Sequence, residues 1–477
     1  MLINQAADVD PSSAESVEIA QPLLDQLAAI RREVLQALAS DEPVYGVNTG
    51  MGAMSKVRLS ESEQRIHQRN LLLGRAVGGP PWLPADEARA VLLGRLRTFL
   101  NGDAGVSVEL IQQLVALINS NVVPQIPAEG AGSAGEIIPL AHAFGTWAGG
   151  DASGPEIGLK EAGLELGVDR SGSELDPHES GFELGPKEGI ALLAGIPGAT
   201  GRAALHVVRA RRLADQLTAV AAGAIAVVGA NRAPYQPLAG RGNDVLAGEL
   251  ARLLELAGPE GEPRSLQAPV SFRVAGQVIA HVRRSIDDLD RAVGRAFDGV
   301  TDSPAYLGGE FVGTAGFHGI DLTAYCDHLT AALAHAAEVS AARLHRLLDP
   351  SVTGLPAQLT HEPGPQAGLV AVHKRAVATT HRLRRLTLPT AIGTAETSNG
   401  QEDVQTFSWE AVGNLAEAIR LTREVTACEL LAVYQAFTLA KRPLPTSLQI
   451  VADVVPPISV DRPFGKDLTR LLETVLS

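Results

Sequence analysis

The feature that most constrains the fold is a stretch at residues 200–230 that has helical periodicity and loses its polar face toward its end. It reads TGRAALHVVRARRLADQLTAVAAGAIAVVGA. A helix without a polar face is buried on all sides, as in the middle of a bundle or at a subunit contact. Other long stretches repeat apolar residues at spacings of three and four, among them DLTAYCDHLTAALAHAAEVSAARLHRLLD and EAVGNLAEAIRLTREVTACELLAVYQAFTLA. The sequence therefore predicts a mainly α protein, a bundle of long helices preceded by a smaller region of loops and shorter helices.

This pattern divides the chain of 477 residues into two regions. Residues 1–200 carry the loops and short helices, and residues 201–477 carry the long helices. Aromatic residues make up only 4% of the chain, and the abundant alanine and glycine allow helix axes to approach closely. An acidic, glycine-rich stretch at residues 149–189 has no periodicity, so it is predicted to be a surface loop.

Charge and composition exclude several classes of function. The formal net charge of −14 disfavours binding to nucleic acid or to an anionic membrane surface, because both need a basic face. The chain has no uninterrupted run of about 18 apolar residues, so no membrane span is predicted. Two cysteines far apart in the sequence are typical of a reducing compartment, which predicts a cytoplasmic protein. Without HExxH, CxxC or glycine-rich nucleotide motifs, neither a metal nor a nucleotide cofactor is predicted.

Several polar stretches interrupt the helical pattern and carry candidate site residues. The stretch YGVNTGMG places Tyr45 in a glycine-rich loop, a usual way to present a phenol to a cleft. Arg273 has an apolar setting in APVSFRVAGQV, Phe317 is close to glycines in GFHG, and Gln401 and Glu402 follow a polar loop in SNGQED. Each stretch alone is equally typical of a turn, a helix cap or a surface side chain.

Taken together and in order, these and other motifs resemble those of the histidine and aromatic amino acid ammonia-lyase and aminomutase family. The resemblance extends over residues 44–403 and is carried by YGVNTGMG, QRNLLLGRAVG, GSAGEIIPLAHAFG, PKEGIALLAG, APVSFRVAGQV, VTDSP, GFHG and SNGQED. It implies a long-helix bundle of the ammonia-lyase, or fumarase/aspartase-like, type. It also implies a homotetramer that acts on a small molecule, with active sites formed by loops from several subunits.

The resemblance also implies roles for particular residues. Tyr45 corresponds to the family's catalytic base, and Arg273 corresponds to the arginine that binds the substrate carboxylate. Phe317 and Glu402 match pocket residues, and Gln401 lies beside Glu402 in the same motif. The acid–base part of the family's site is therefore expected to be present in this chain.

The electrophilic part of the family's site is altered. Family members form a methylidene-imidazolone from their own Ala-Ser-Gly triad, whose serine loses water. The corresponding residues here are Ser133, Ala134 and Gly135, and Ala134 has no hydroxyl to lose. A register shifted by one, which begins at Gly132, supplies a central serine. The shift moves the electrophile by about 3.5 Å and removes the final glycine that eases the tight bend.

Other departures indicate an enlarged and more apolar pocket. Arg75 stands where the family often has histidine, Ala194 where it has a substrate-binding asparagine, and Val270 where it has tyrosine; Glu136 replaces an aspartate. With Ala134, Ala194 and Val270 small or apolar, the pocket is expected to be larger and more apolar than one for a free amino acid. A specialised-metabolite intermediate, as in natural product biosynthesis, is the expected substrate.

The leading hypothesis from the sequence is an enzyme that works without the prosthetic group. Tyr45 would move a proton next to a carbonyl, while Arg273 and Arg75 hold a carboxylate or a developing enolate oxygen. Such a site could eliminate water, add it, or close a ring by conjugate addition. Two alternatives stay open: a true ammonia-lyase or aminomutase that uses the triad shifted onto Ser133, and a non-catalytic scaffold.

Overall fold

The computed structural model describes residues 1–40, 42–120, 122–148, 183–259, 261–393 and 395–477. Helices account for most of the described residues, which confirms the mainly α prediction. Most of the predicted surface loop falls at residues 149–182, outside the described residues. The α-helices are α1 Gln21–Leu38, α2 Glu61–Leu73, α3 Ala85–Leu100, α4 Val108–Ser120, α5 Ile137–Phe144, α6 Glu188–Leu193, α7 Pro197–Val227, α8 Asp244–Ala257, α9 Val270–Arg273, α10 Ala275–Asp298, α11 Ile320–Leu347, α12 Pro350–Thr353, α13 Val370–Arg385, α14 Ser408–Leu439, α15 Ile450–Val454 and α16 Gly465–Arg470.

Strands are short in the described part of the chain and form two small pairs. The strand β1, Leu2–Ile3, lies parallel to β2, Glu18–Ile19. The strands β3, Ala305–Leu307, and β4, Glu310–Val312, form an antiparallel hairpin. The described β-structure thus contributes little to the core, which consists of helices.

The chain forms two compact units, each assembled from three separated segments. The first unit comprises Met1–Leu205, Asp290–Cys326 and Pro389–Gly413, and the second comprises His206–Leu289, Asp327–Leu388 and Asn414–Ser477. The long helices α7, α10, α11 and α14 each contribute residues to both units. The division after residue 200 stays a prediction about sequence regions.

In the first unit, the start of α7 packs tightly against α3 through two glycines. A Cβ on Gly94 would lie 2.2 Å from the carbonyl oxygen of Pro197, and a Cβ on Gly201 would lie 2.1 Å from that of Ala90. Because real Cβ atoms do not approach so closely, only glycine permits this helix spacing. The N-terminus of α7 is thereby fixed next to the loop that leads into α5.

In the second unit, buried ion pairs join the long helices. Arg343 of α11 pairs with Glu429 of α14, and both side chains are almost completely buried. A buried pair of this kind holds its partners in one geometry because breaking it leaves an unpaired charge in the interior.

Residues Glu188–Val227, across α6 and α7, are long and apolar enough for a membrane span by composition, but 89% of the most apolar window is buried in the protein. A core helix meets the same criterion.

Candidate active site

Tyr45 lies in a turn whose backbone requires glycine at the next position. Gly46 has a φ of 67°, and a Cβ there would come within 2.4 Å of the Ile190 Cδ1. The Tyr45 side chain is 37% exposed, so the phenol is accessible from solvent in this chain. Its hydroxyl oxygen accepts a hydrogen bond of 2.8 Å from the backbone N–H of Gly52. The YGVNTGMG stretch thus both carries the phenol and supplies a donor to it.

The Tyr45 turn is attached to α6 by a single buried amide. Gln68 of α2, which is only 1% exposed, donates from Nε2 to the carbonyl oxygen of Gly46 at 3.0 Å. Its Oε1 accepts from the N–H of Ile190 at 3.0 Å. Both polar atoms of the amide are therefore used, which fixes the turn against α6.

Arg75 follows the C-terminus of α2 and lies in the same neighbourhood as Tyr45. Its Nη1 donates to the carbonyl oxygen of Leu71 at 3.3 Å, and its Nη2 lies 3.8 Å from the Sδ of Met51. Burial lowers the pKa of Arg75, whereas interaction with Tyr45 and Glu402 raises it. An arginine stays protonated at neutral pH under such conditions, so Arg75 places a fixed positive charge near the phenol and the carboxylate.

The loop of residues 131–136 bends at Gly135. The φ of Gly135 is 80°, and a Cβ there would lie 3.0 Å from the carbonyl oxygen of Gly195 and 3.7 Å from the Cβ of Phe317. The N–H of Ala134 donates to Glu402 Oε2 at 3.3 Å. These contacts bring three predicted site residues together: Phe317, Ala134 and Glu402.

Ser133 turns its hydroxyl toward its own loop. The side chain is 8% exposed, and its Oγ donates to the carbonyl oxygens of Ala131 at 3.2 Å and of Gly135 at 3.4 Å. From its place in the triad loop, Ser133 is also expected to be a substrate-binding residue, and this role stays a prediction. Its hydroxyl is within reach of backbone oxygens on either side of Ala134.

The loop that carries Gln401 and Glu402 meets the Tyr45 loop. The Oε2 of Glu402 accepts from the Thr397 hydroxyl at 2.8 Å, which holds the carboxylate in place. At the other end of the contact, a Cβ on Gly52 would lie 3.8 Å from the Cβ of Ser398. Gln401 is exposed on the same loop. Glu402 therefore links the Tyr45 side of the site to the Ala134 side.

Glu136 anchors the Ala134 loop to the N-terminus of α7. Its carboxylate is fully buried and accepts hydrogen bonds of 2.8 Å from the N–H of Gly198 and 2.7 Å from that of Ala199. Burial raises the pKa of Glu136 to about 7, although these amides and the nearby Arg95 and Arg202 lower it. The sequence noted Glu136 only as a replacement for aspartate, so this anchoring contact was missed.

Ala194 lies directly after α6, and its backbone is held by a buried guanidinium. The Nη2 of Arg95 donates to the carbonyl oxygen of Ala194 at 2.5 Å and to that of Leu192 at 3.3 Å. Burial lowers the pKa of Arg95 to about 10, so it stays a cation at neutral pH. Ala194 precedes Gly195, whose carbonyl oxygen contacts the bend of the Ala134 loop.

Val270 and Arg273 belong to the second unit. Val270, at the start of α9, is 57% exposed. Arg273, at the end of α9, is partly buried, and its Nε donates to the carbonyl oxygen of Ala268 at 3.0 Å. Their roles toward a substrate stay predictions, because the contacts that join the other residues all lie in the first unit.

Three features of the first unit could not be predicted from the sequence. The Gly52 N–H that bonds the phenol lies within the YGVNTGMG motif, but nothing in the letters shows which amide points at Tyr45. No motif indicated His67 of α2; burial lowers its pKa, and the positive charge of Arg75 lowers that pKa further. Trp409 donates from Nε1 to the Ala128 carbonyl oxygen at 3.0 Å, just before the Ala134 loop.

Among the described residues, no group of three or more His, Cys, Asp or Glu could hold a metal ion.

Comparison with known proteins places this geometry in a wider group. The family profile described as aromatic amino acid lyase matches residues 2–455. The histidine ammonia-lyase of Symbiobacterium thermophilum is 31% identical, covering 95% of this chain and 91% of that relative. That of Deinococcus radiodurans is 30% identical, covering 97% of this chain and 90% of that relative.

Solved structures show the same fold. The tyrosine aminomutase from Streptomyces globisporus superposes with a TM-score of 0.88 at 24% identity, covering 99% of this chain and 95% of that one. The histidine ammonia-lyase from Trypanosoma cruzi gives a TM-score of 0.86 at 22% identity, covering 100% of this chain and 93% of that one. These likenesses confirm the predicted long-helix architecture.

Proposed function

The chain belongs to the aromatic amino acid lyase family, and from this premise we propose that it is an acid–base lyase or cyclase that works without a methylidene-imidazolone. The observation that carries the proposal is the methyl side chain of Ala134 at the centre of the bent loop. Glu402, which bonds the Ala134 N–H, supplies a carboxylate, and Arg75 and Tyr45 near it supply a fixed cation and a proton acceptor.

The residues present do not fit the family's prosthetic group. Ring formation needs a side-chain hydroxyl at the middle of the triad, and the glycine-only bend marks the third position. That bend is at Gly135, where a Cβ would lie only 3.0 Å from the carbonyl oxygen of Gly195. This supports the register Ser133, Ala134, Gly135, whose central residue has no oxygen to lose. No step of the proposed reaction therefore passes through the group.

Tyr45 is the proposed base because its oxygen already has a partner suited to the phenolate. The Gly52 N–H donates to that oxygen at 2.8 Å, and a donor to an ionised oxygen makes a stronger hydrogen bond than a donor to a neutral one. The fixed charge of Arg75 is also near. The proposed proton acceptor thus has a hydrogen-bond donor and a cation beside it.

In the proposed elimination, Tyr45 removes the proton from the carbon next to a carbonyl group. The electron pair of that C–H bond forms the new C=C bond, and the C–O bond to the hydroxyl group on the next carbon breaks. The leaving hydroxide takes the proton back from the Tyr45 phenol, which gives water and restores the phenolate. Arg75 would hold the carbonyl or carboxylate oxygen on which negative charge develops, and the role of Arg273 toward a carboxylate stays the one that the sequence predicts. In the reverse direction, a substrate nucleophile in place of water would close a ring.

The acidity of the substrate decides the proposed substrate class. A free α-amino acid has a β-proton that is barely acidic, so its deamination needs an added electrophile. A proton next to a thioester or ketone needs only a base and an oxyanion partner. Within the first unit, Ala134 and Ala194 have small side chains where bulkier or polar ones would take up more space. We therefore propose a larger specialised-metabolite intermediate as the substrate, handled by a cytoplasmic homotetramer with shared active sites.

A second candidate is a true ammonia-lyase or aminomutase that uses the triad centred on Ser133. The relatives that are about 30% identical are histidine ammonia-lyases, and Ser133 has the hydroxyl that such a reaction requires. Against it, the left-handed residue of the loop is Gly135, one position beyond that triad. The two candidates differ in the mass of the purified protein.

Intact-protein mass spectrometry separates the candidates. The proposal expects the mass of the unmodified sequence, whereas a ring built on Ser133 would lower the mass by two water molecules. The matching activity assay uses 3-hydroxyacyl N-acetylcysteamine thioesters of increasing chain length and follows the enoyl absorbance. Ammonia release from L-histidine, L-phenylalanine or L-tyrosine together with a dehydrated mass would overturn the proposal. An unmodified protein that turns over no thioester would support the scaffold instead.

A further inference from the structure

We propose that Tyr235 and Arg343 are positioning residues that fix the orientation of Arg273. The inference rests on the proposed function only for what Arg273 binds, a carboxylate or enolate oxygen. The geometry itself lies entirely within the second unit. It assigns work in the site to two buried side chains that no motif had indicated.

Arg273 is carried by a very short helix that cannot set its own orientation. The helix α9 is a single turn that begins after Pro269 and is separated from α10 by a break at Val274. A helix end leaves carbonyl groups without intrahelical partners, and a single turn has little stability alone. The position of Arg273 must therefore be determined by what the carbonyls of α9 contact.

Tyr235 supplies the first of these contacts. Its hydroxyl donates to the carbonyl oxygen of Phe272 at 3.0 Å, and its side chain is 1% exposed. Burial raises the pKa of Tyr235 to about 12, so the hydroxyl keeps its proton at neutral pH. The donor is therefore permanent, and it acts on the residue immediately before Arg273.

Arg343 supplies the second contact from a guanidinium that is itself held in place. Its Nη1 donates to the carbonyl oxygen of Ser271 at 3.3 Å. Its Nε and Nη2 donate to Glu429 at 2.7 and 2.9 Å, and Ser340 donates its hydroxyl to the same carboxylate. A bidentate arginine–carboxylate pair fixes the plane of the guanidinium, so the Nη1 direction toward α9 is fixed as well.

Together these donors clamp the middle of the turn. Arg343 and Tyr235 bond the carbonyls of its two central residues, while the Nε of Arg273 donates back to the Ala268 carbonyl oxygen at 3.0 Å, before the turn begins. Because a shift of about 1 Å in a binding group can lower a rate by about a hundredfold, this clamp matters for ligand binding. Removing one donor should loosen α9 without removing Arg273.

Hydrogen exchange on the full-length protein tests the clamp directly. Tyr235→Phe removes only the hydroxyl, and loss of one buried hydrogen bond should speed exchange of the amides at residues 272–274 about fivefold. The matched control is Tyr434→Phe, because the buried Tyr434 hydroxyl donates to the Val455 carbonyl oxygen at the same 3.0 Å. It should leave residues 272–274 unchanged. Equal acceleration at these amides in both variants, or none in Tyr235→Phe, would overturn the proposal.

Ligand binding tests the consequence for Arg273. The probe is trans-cinnamate, measured by isothermal titration calorimetry on the same variants, with Arg273→Met as the benchmark. We expect Arg273→Met to abolish binding, Tyr235→Phe to weaken it severalfold and Tyr434→Phe to leave it unchanged. If cinnamate binds no protein, or binds Arg273→Met as tightly as the wild type, the assigned role of Arg273 fails while the exchange result still judges the clamp. Weaker binding to Tyr434→Phe than to Tyr235→Phe would overturn the proposal.

Discussion

The Tyr45 loop and the Ala134 loop both meet the loop that carries Glu402, yet they differ in which of the family's motif residues they have. The Tyr45 loop has the phenol, and Arg75 lies near it. The Ala134 loop has the glycine bend and the contact with Glu402, but Ala134, the central residue in the proposed register, has no hydroxyl. Under the proposed function, the acid–base part and the electrophilic part of the site depend on separate loops, so one can change without loss of the other.

The two loops are also held in different ways. The Tyr45 turn is fixed by the neutral amide of Gln68, and its key side chain is more than one-third exposed. The Ala134 loop is fixed by the buried carboxylate of Glu136 at the N-terminus of α7. Substitutions in the first loop should therefore change activity, while substitutions at the anchor of the second should change stability and its dependence on pH.

The largest expected effect is the loss of activity in Tyr45→Phe. Removal of a general base lowers kcat/KM by about 10²- to 10⁴-fold, and the thioester elimination assay should show a loss in that range. The fold should be unaffected, because the exposed phenol contributes one hydrogen bond to Gly52, which water can replace. Circular dichroism and the melting temperature supply that control. A loss below about tenfold would mean that Tyr45 is not the base.

The next largest effect is a pH dependence of stability that originates at Glu136. Burial raises the pKa of this carboxyl from 4.5 to about 7, so the folded state binds a proton more tightly than the unfolded state. The stabilisation is complete below about pH 4.5 and is lost as the pH rises through about 7, which amounts to about 3 kcal/mol.

Glu136→Gln should remove that slope, because an amide oxygen can still accept from Gly198 and Ala199 but cannot ionise. Urea unfolding between pH 5 and pH 8 measures the effect in both proteins. A wild-type free energy of unfolding that increases with pH, or a slope that persists unchanged in Glu136→Gln, would contradict the assignment. The result also tests whether the anchor of the Ala134 loop is neutral or charged at physiological pH.

Helix positions could be predicted from sequence because they depend on local periodicity. The stretch DLTAYCDHLTAALAHAAEVSAARLHRLLD forms most of α11, and EAVGNLAEAIRLTREVTACELLAVYQAFTLA forms most of α14, as their apolar spacing predicted. AGQVIAHV, which has signals of both strand and helix, forms the start of α10. A short apolar run is ambiguous by periodicity alone, and its neighbours in the chain decided the outcome.

The site could be predicted only where a motif carried a residue type. Motifs indicated Tyr45, Phe317 and Glu402, whose roles stay predictions, whereas no motif indicated the contacts of Glu136 and Gln68. Glu136 accepts from a backbone N–H more than 60 residues away in sequence, and Gln68 donates to a backbone carbonyl more than 20 residues away. Backbone groups have no signature in the sequence, so a long-range bond to one of them cannot be read from the letters.

Arg75→His should have a moderate effect and sharpens the comparison, because it introduces the residue that the family often has. A mostly neutral imidazole at pH 8 would remove the fixed charge near Tyr45 and Glu402, and kcat/KM should fall about a hundredfold. Arg75→Lys keeps the charge but not the planar fork and should retain more activity than Arg75→His. Activity of Arg75→His equal to the wild type would show that the cation plays no part in the reaction.

The smallest expected effect is that of Ala134→Ser on stability. The side chain of Ala134 is partly exposed, and the substitution leaves Gly135, which forms the bend, in place. An added hydroxyl should therefore change the free energy of unfolding by less than about 0.5 kcal/mol. Chemical denaturation of the two proteins measures the difference. A small change would mean that the loop still has room for the family's hydroxyl and that the missing oxygen alone separates the two loops chemically. Destabilisation by more than about 2 kcal/mol would instead mean that the loop has repacked around the methyl group.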